Sequence, residues 1–207
     1  MPKDLAALLV EEGVVPADVM ERALARRDEA GGALDTALLE LGALSEDALG
    51  IALAGAADVA PAPPEAFAGA DARARRVFPA RVADRHGLAP FALDGRELTV
   101  VSVFPVDAGL LDEIGFMLSL HLTAYVAPEW RVRLLVHQLY GMPLAPRFAA
   151  MAVAAGALAA EDLPGAATDA APGPVEREAG EAAPVGFGGD DQGPLEPLAA
   201  KAKKSRA

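Results

Sequence analysis

The sequence predicts an α+β fold: an N-terminal four-helix assembly from two repeated helix-turn-helix units, a small three-stranded sheet covered by helices, then a disordered tail. Three observations predict it. A 24-residue pattern occurs twice at a constant offset, helix and strand signals alternate from residue 71 to 141, and the composition changes abruptly after Gly141. The implied boundaries are 1–60 for the duplicated helical part, 61–70 for a proline-rich connector, 71–141 for the α/β part and 142–207 for the tail.

The repeat reads DLAALLVEEGVVPADVMERALARR from Asp4 and ALDTALLELGALSEDALGIALAGA from Ala33. Gly13 and Gly42 lie 29 residues apart, and the same offset matches Leu5 to Leu34, Leu9 to Leu38, Asp18 to Asp47 and Leu24 to Leu53. Each unit is a short helix ended by glycine, a connector and a second helix. Glycine suits the left-handed residue that ends many helices. Pro16 suits the first turn of the second helix, and Ser45 can cap its counterpart. Leu5, Leu8 and Leu9, then Val19, Met20 and Leu24, recur at helical spacing, so each unit has one face to bury. Duplication of this kind is by itself only structural.

Pro61-Ala62-Pro63-Pro64 reads as a short stiff connector. Ala72–Arg85 follows as one helix with Val77, Phe78 and Val82 on its buried face. Leu88–Leu93 and Glu97–Val103 form a hairpin around Asp94-Gly95, a pair that tolerates positive φ. Asp107 caps a helix through Leu118 that buries Leu110, Leu111, Ile114, Met117 and Leu118. His121–Val126 is the third strand. Pro128 starts a final helix carrying Trp130, Leu134, Leu135 and Leu139, and Gly141 stops it. Trp130 is expected to anchor that helix to the sheet.

From Met142 onward, eight prolines and eight glycines fall within 66 residues. Such a segment buries too little apolar area to offset chain ordering, so it reads as a disordered tail containing one short helix near 147–160. Its terminal Lys201, Lys203, Lys204 and Arg206 read as a solvated basic end.

The chain is 53% hydrophobic but only 5% aromatic, which favours helix over an aromatic-packed sheet fold. A formal charge of −12 over 207 residues argues against nucleic-acid binding, since a polyanion needs a basic face. Residues 1–141 are themselves acidic, with 21 acids against 12 bases. There is no cysteine, and therefore no disulfide, thiolate zinc site or cysteine nucleophile. The longest apolar run, 148–160, is short of the ~20 residues a spanning helix needs, so no transmembrane segment is expected. His86, His121 and His137 form no ligand spacing, and Ser102 and Ser119 lack a nucleophile-elbow context. Neither a metal nor a cofactor is expected.

The paired helical units, ARRVFPARVADRHGLAPFALDGRELTVVSVFPVD, DAGLLDEIGFMLSL and VAPEWRVRLLVHQLYG together resemble the N-terminal domain of type II secretion and type IV pilus assembly ATPases, the MshEN domain. The resemblance covers about residues 4–141. It implies a module that precedes a motor domain and links it to the membrane platform of a secretion machine; some members bind cyclic di-GMP through the paired helical motifs. No Gly-Lys-Ser or Gly-Lys-Thr of a P-loop occurs, so a form without the motor is expected.

In dinucleotide-binding members each unit opens with Arg-Leu-Gly and closes with Gln. Here the openings are Asp4-Leu5-Ala6 and Ala33-Leu34-Asp35, and Arg27 and Ala56 replace the glutamines. The degenerate site implied by the resemblance comprises Lys3, Leu5, Leu9, Gly13, Arg27, Leu34, Leu38 and Gly42. Asp4 and Asp35 set negative charge against a ligand with two phosphates, which Arg27 and Lys3 offset in part. The expectation is therefore a non-catalytic adaptor or regulatory module that docks to protein components of secretion or pilus machinery. It would be cytoplasmic and reach the inner membrane through those partners. The alternative is a cyclic di-GMP sensor with degenerate motifs.

Overall fold

A computed structural model describes residues 3–159. The repeat folds into four helices: α1 (Leu5–Glu11), α2 (Ala17–Ala30), α3 (Leu34–Glu40) and α4 (Glu46–Ala57). Asp4 caps α1 by accepting the Ala6 N–H at 3.0 Å, and Ser45 caps α4 by accepting that of Ala48 at 3.2 Å. Each side chain satisfies an amide that a helix start leaves without a partner. Gly13 and Gly42 adopt φ of +68° and +61° in the same turn, where the next residue's N–H returns to Leu9 and Leu38 respectively. An added Cβ would meet nothing within 4 Å at either position. These glycines serve the backbone conformation, not a close approach.

α1 packs on α4 and α2 on α3. Their shared core holds Leu5, Leu9, Val15, Leu38, Leu49 and Leu53, all buried. At ~1.5–3 kcal/mol for each fully buried aliphatic side chain, this leucine set is what stabilises helices too short to persist alone.

The second half contains α5 (Ala72–Val77), α6 (Ala80–His86), β1 (Leu88–Asp94), β2 (Glu97–Ser102), α7 (Ala108–Leu118), β3 (His121–Val126) and α8 (Glu129–Tyr140). β1 and β2 pair antiparallel through the tight turn at Gly95-Arg96, with an irregularity between Pro90 and Ala92. β3 pairs parallel to β2, giving the sheet order β1-β2-β3. Asp107 caps α7 through the Leu110 N–H at 3.1 Å. Phe78, Leu88, Leu98, Val100, Val101, Ile114, Val132 and Leu135 fill the core between sheet and helices.

Five features differ from the sequence expectation. The single helix over 72–85 is two, because Pro79 drives Phe78 into an extended conformation (φ −94°, ψ 121°). Phe78 is then buried, whereas Val77, expected beside it, is exposed. On α7, Met117 is exposed rather than buried, next to an exposed Phe116. The connector is not a free spacer: Ala62 N–H donates to Val126 O and Val126 N–H to Ala60 O, so it continues the edge of β3. Lastly, the short helix expected near 147–160 forms as α9 (Pro146–Ala154), but Trp130 packs on it instead of on the sheet. Trp130, Leu134, Leu144, Phe148, Ala149 and Ala152 make a third small core. The rest of the expected disordered tail, with its basic end, lies outside the described residues.

Tyr140 closes the far end of α8 by donating its hydroxyl to Phe78 O at 2.9 Å, and burial pushes its phenol up to about 12. Among the described residues no helix is long and apolar enough to cross a membrane.

Candidate functional site

Each repeat opens at a helix start, where backbone N–H groups need acceptors. In the first repeat Asp4 supplies one locally. In the second, the N-cap residue of α3 is Ala33, which has no polar side chain; likewise α8 starts after Pro128 with no side-chain cap of its own. The two helices cap each other. Glu129 Oε2 accepts the Ala33 N–H at 2.9 Å, and Asp35 Oδ2 accepts the Glu129 N–H at 2.8 Å. Thr36 ties the two carboxylates together. Its N–H donates to Asp35 Oδ1 at 2.6 Å, and its hydroxyl lies 3.3 Å from that atom and 3.2 Å from Glu129 Oε2. Both carboxylates sit at the positive ends of helices, which favours their charge.

The junction is nearly dry: Asp35 is 2% exposed and Glu129 8%. Burial is the main force on Asp35 and pushes its carboxyl up to about 6, with the adjacent Glu129 charge adding and the backbone donors of Glu129 and Thr36 opposing. Arg133 approaches Glu129 Oε1 at 3.6 Å. Gly32 makes room beside it, since a Cβ there would stand 2.9 Å from Arg147 Nη1 and 3.3 Å from Glu129 Oε2. Arg147 of α9 donates to Glu40 at 3.1 Å and to the carbonyls of Ala30 and Gly31, closing the C-terminal end of α2. Arg131 makes a bidentate pair with Glu46 at 2.6 and 3.1 Å and stacks on Trp130 at 4.2 Å. Helices α8 and α9 are thus fastened to the second repeat by the reciprocal caps and two ion pairs.

A cavity of about 300 Å³ lies beside this junction, lined by Asp4, Leu5, Arg27, Ala33, Leu34, Asp35, Phe104 and Pro105. It brings together Leu5, Arg27 and Leu34 of the expected site residues. Leu9 and Leu38 are fully buried in the helical core, and Gly13 and Gly42 end α1 and α3. Lys3 lies on a different groove, with Glu12, Val14 and Ile51. The Arg27 guanidinium is drawn to Asp28 at 2.7 Å. Sequence reasoning marked Asp35 as a replaced glycine and as negative charge set against a ligand, not as a cap, and did not find Glu129; no local pattern links residues 94 positions apart.

On the opposite structural half, α7 presents Phe116 at 90% and Met117 at 62% exposure. Phe116 borders a cavity of about 510 Å³ that also carries Arg96, Asp112 and His121.

A family model of the MshEN domain matches residues 60–146. The structure of MshE with cdg, cyclic di-GMP, is similar at 28% identity and a TM-score of 0.52, covering 67% of this chain and 99% of that one. The N-terminal domain of XpsE, in two crystal forms, is 18% and 19% identical with TM-scores of 0.48 and 0.39, covering 66% and 65% of this chain and 94% and 92% of those. No curated protein matches. Over residues 60–146 this chain is therefore similar to the MshEN domain.

Proposed function

We propose that this chain is a non-catalytic adaptor or regulatory module that docks to protein components of secretion or pilus machinery. One observation carries the reading: the polar side chains at both repeat openings are committed to the fold. Asp4 caps its own helix, and Asp35 caps α8 while Glu129 caps α3 in return. Side chains engaged in this way are not free to receive a dinucleotide, and two carboxylates against one arginine leave the adjacent cavity without the positive charge that phosphates need.

The second reading is a cyclic di-GMP sensor. It is favoured by the similarity to MshE, whose structure contains that ligand, and by the convergence of Leu5, Arg27 and Leu34 on one cavity.

For docking, α7 offers the surface. Paired exposed aromatic and thioether side chains are the residue types that anchor protein interfaces. Purified chain should capture a secretion or pilus ATPase or a platform protein in a direct binding assay. Phe116→Glu with Met117→Glu should lower that affinity at least tenfold while leaving the melting temperature unchanged. No binding to any such component, or equal binding by the double variant, contradicts the assignment.

A further inference from the structure

The reciprocal caps place two carboxylates in one buried junction, where full ionisation is costly. Few other charged groups face it. α8 contributes Glu129 and Arg133, the latter at 3.6 Å; α9 contributes Arg147, already engaged by Glu40 of α3 and two carbonyls; Asp4 and Arg27 stand across the cavity, Arg27 paired with Asp28. Among the described residues no basic side chain bridges Asp35 and Glu129. What joins them is the Thr36 hydroxyl and backbone amides.

We propose that this junction is a proton-responsive latch: while it holds a proton, α3 stays docked on the start of α8, and losing the proton loosens that contact locally. None of the junction's polar side chains belongs to the three hydrophobic cores, which hold the rest of α3 and α8, so opening is confined to the two helix starts. The inference rests on the junction's geometry and is independent of the docking reading.

Linkage sets the sign. Asp35 is raised from 3.8 to about 6 in the closed state, so the closed state binds the proton more tightly than the open one. Its stabilising contribution is complete below about pH 4 and is lost as pH rises through about 6.

Hydrogen exchange on the whole chain reads the opening, since the amides of Thr36 and Glu129 both donate to Asp35. Their protection factors should fall by a factor on the order of 100 between pH 4 and pH 8, because proton binding separates the two states about tenfold for each pH unit between the open and closed pKa values. Those of β2 should stay constant. Asp35→Asn should abolish this pH dependence. Carbon-13 titration of the Asp35 carboxyl in the unaltered chain needs no variant and should give a midpoint near 6. In Glu129→Gln that midpoint should move downward but stay above 3.8, because burial persists. A midpoint near 3.8 in the unaltered chain, or a loss of protection shared equally by β2, overturns the latch.

Discussion

Replacing Trp130 by alanine is expected to destabilise the protein by about 3–5 kcal/mol, the range for deleting a large buried aromatic side chain. In a domain of this size that lowers the melting temperature by roughly 10 °C. Trp130 is 2% exposed and is the largest member of the core that joins α8 to α9. Its neighbours Ala149 and Ala152 are too small to close the gap. The loss should therefore be local before it is global: hydrogen exchange over 146–154 should accelerate beyond that of β2, because without Trp130 the α9 core keeps only smaller partners such as Leu134 and Leu144 beside the contacts of Arg147. Thermal melts with exchange mass spectrometry check both parts. Unchanged protection of α9 would mean that the polar contacts of Arg147 suffice.

Glu129→Ala should cost about 2–3 kcal/mol. It strips the Ala33 N–H of its acceptor in a partly buried setting, where an unsatisfied polar group costs about 1–3 kcal/mol, and removes a helix cap worth about 1 kcal/mol. Relief of the repulsion from Asp35 returns part of this. Glu129→Gln keeps an acceptor oxygen for Ala33 and should stay within about 1 kcal/mol of the parent. Comparing the two by urea denaturation near pH 5, where the junction is closed, separates the hydrogen bond from the charge. Equal losses in both variants would assign the effect to charge instead.

Much of the fold was legible because its signals are local. The 29-residue offset, Gly13 and Gly42, Ser45 at α4 and Asp107 at α7 each act within a few residues of themselves and appear where the sequence placed them, and the hairpin forms with its turn one position further on, at Gly95-Arg96. The break at Phe78 was also local but was outweighed by helical spacing, although Pro79 carried the signal.

The rest depends on distant partners. The helix α9 was expected, but its docking was hidden in an alanine- and proline-rich composition, since it relies largely on small residues and one phenylalanine meeting a distant tryptophan. The exposure of Met117 follows from the way α7 meets the sheet: Leu111 and Ile114 face inward, and Phe116 and Met117 are left outside. The candidate site was half legible. Its scaffold leucines could be aligned between repeats, but periodicity cannot tell that Leu9 and Leu38 are sealed in the core while Leu5 and Leu34 reach a cavity. The capping exchange between Asp35 and Glu129 left no trace in sequence, because each residue satisfies a helix that is not its own.

If the residues at the repeat openings serve the fold and not a dinucleotide, isothermal titration of the purified chain with cyclic di-GMP should show it without intermediaries. No saturable heat is expected at ligand concentrations up to about 100 µM, where a micromolar site would be well above half-filled. Micromolar binding that Arg27→Ala abolishes would contradict this and make the paired repeats a sensor.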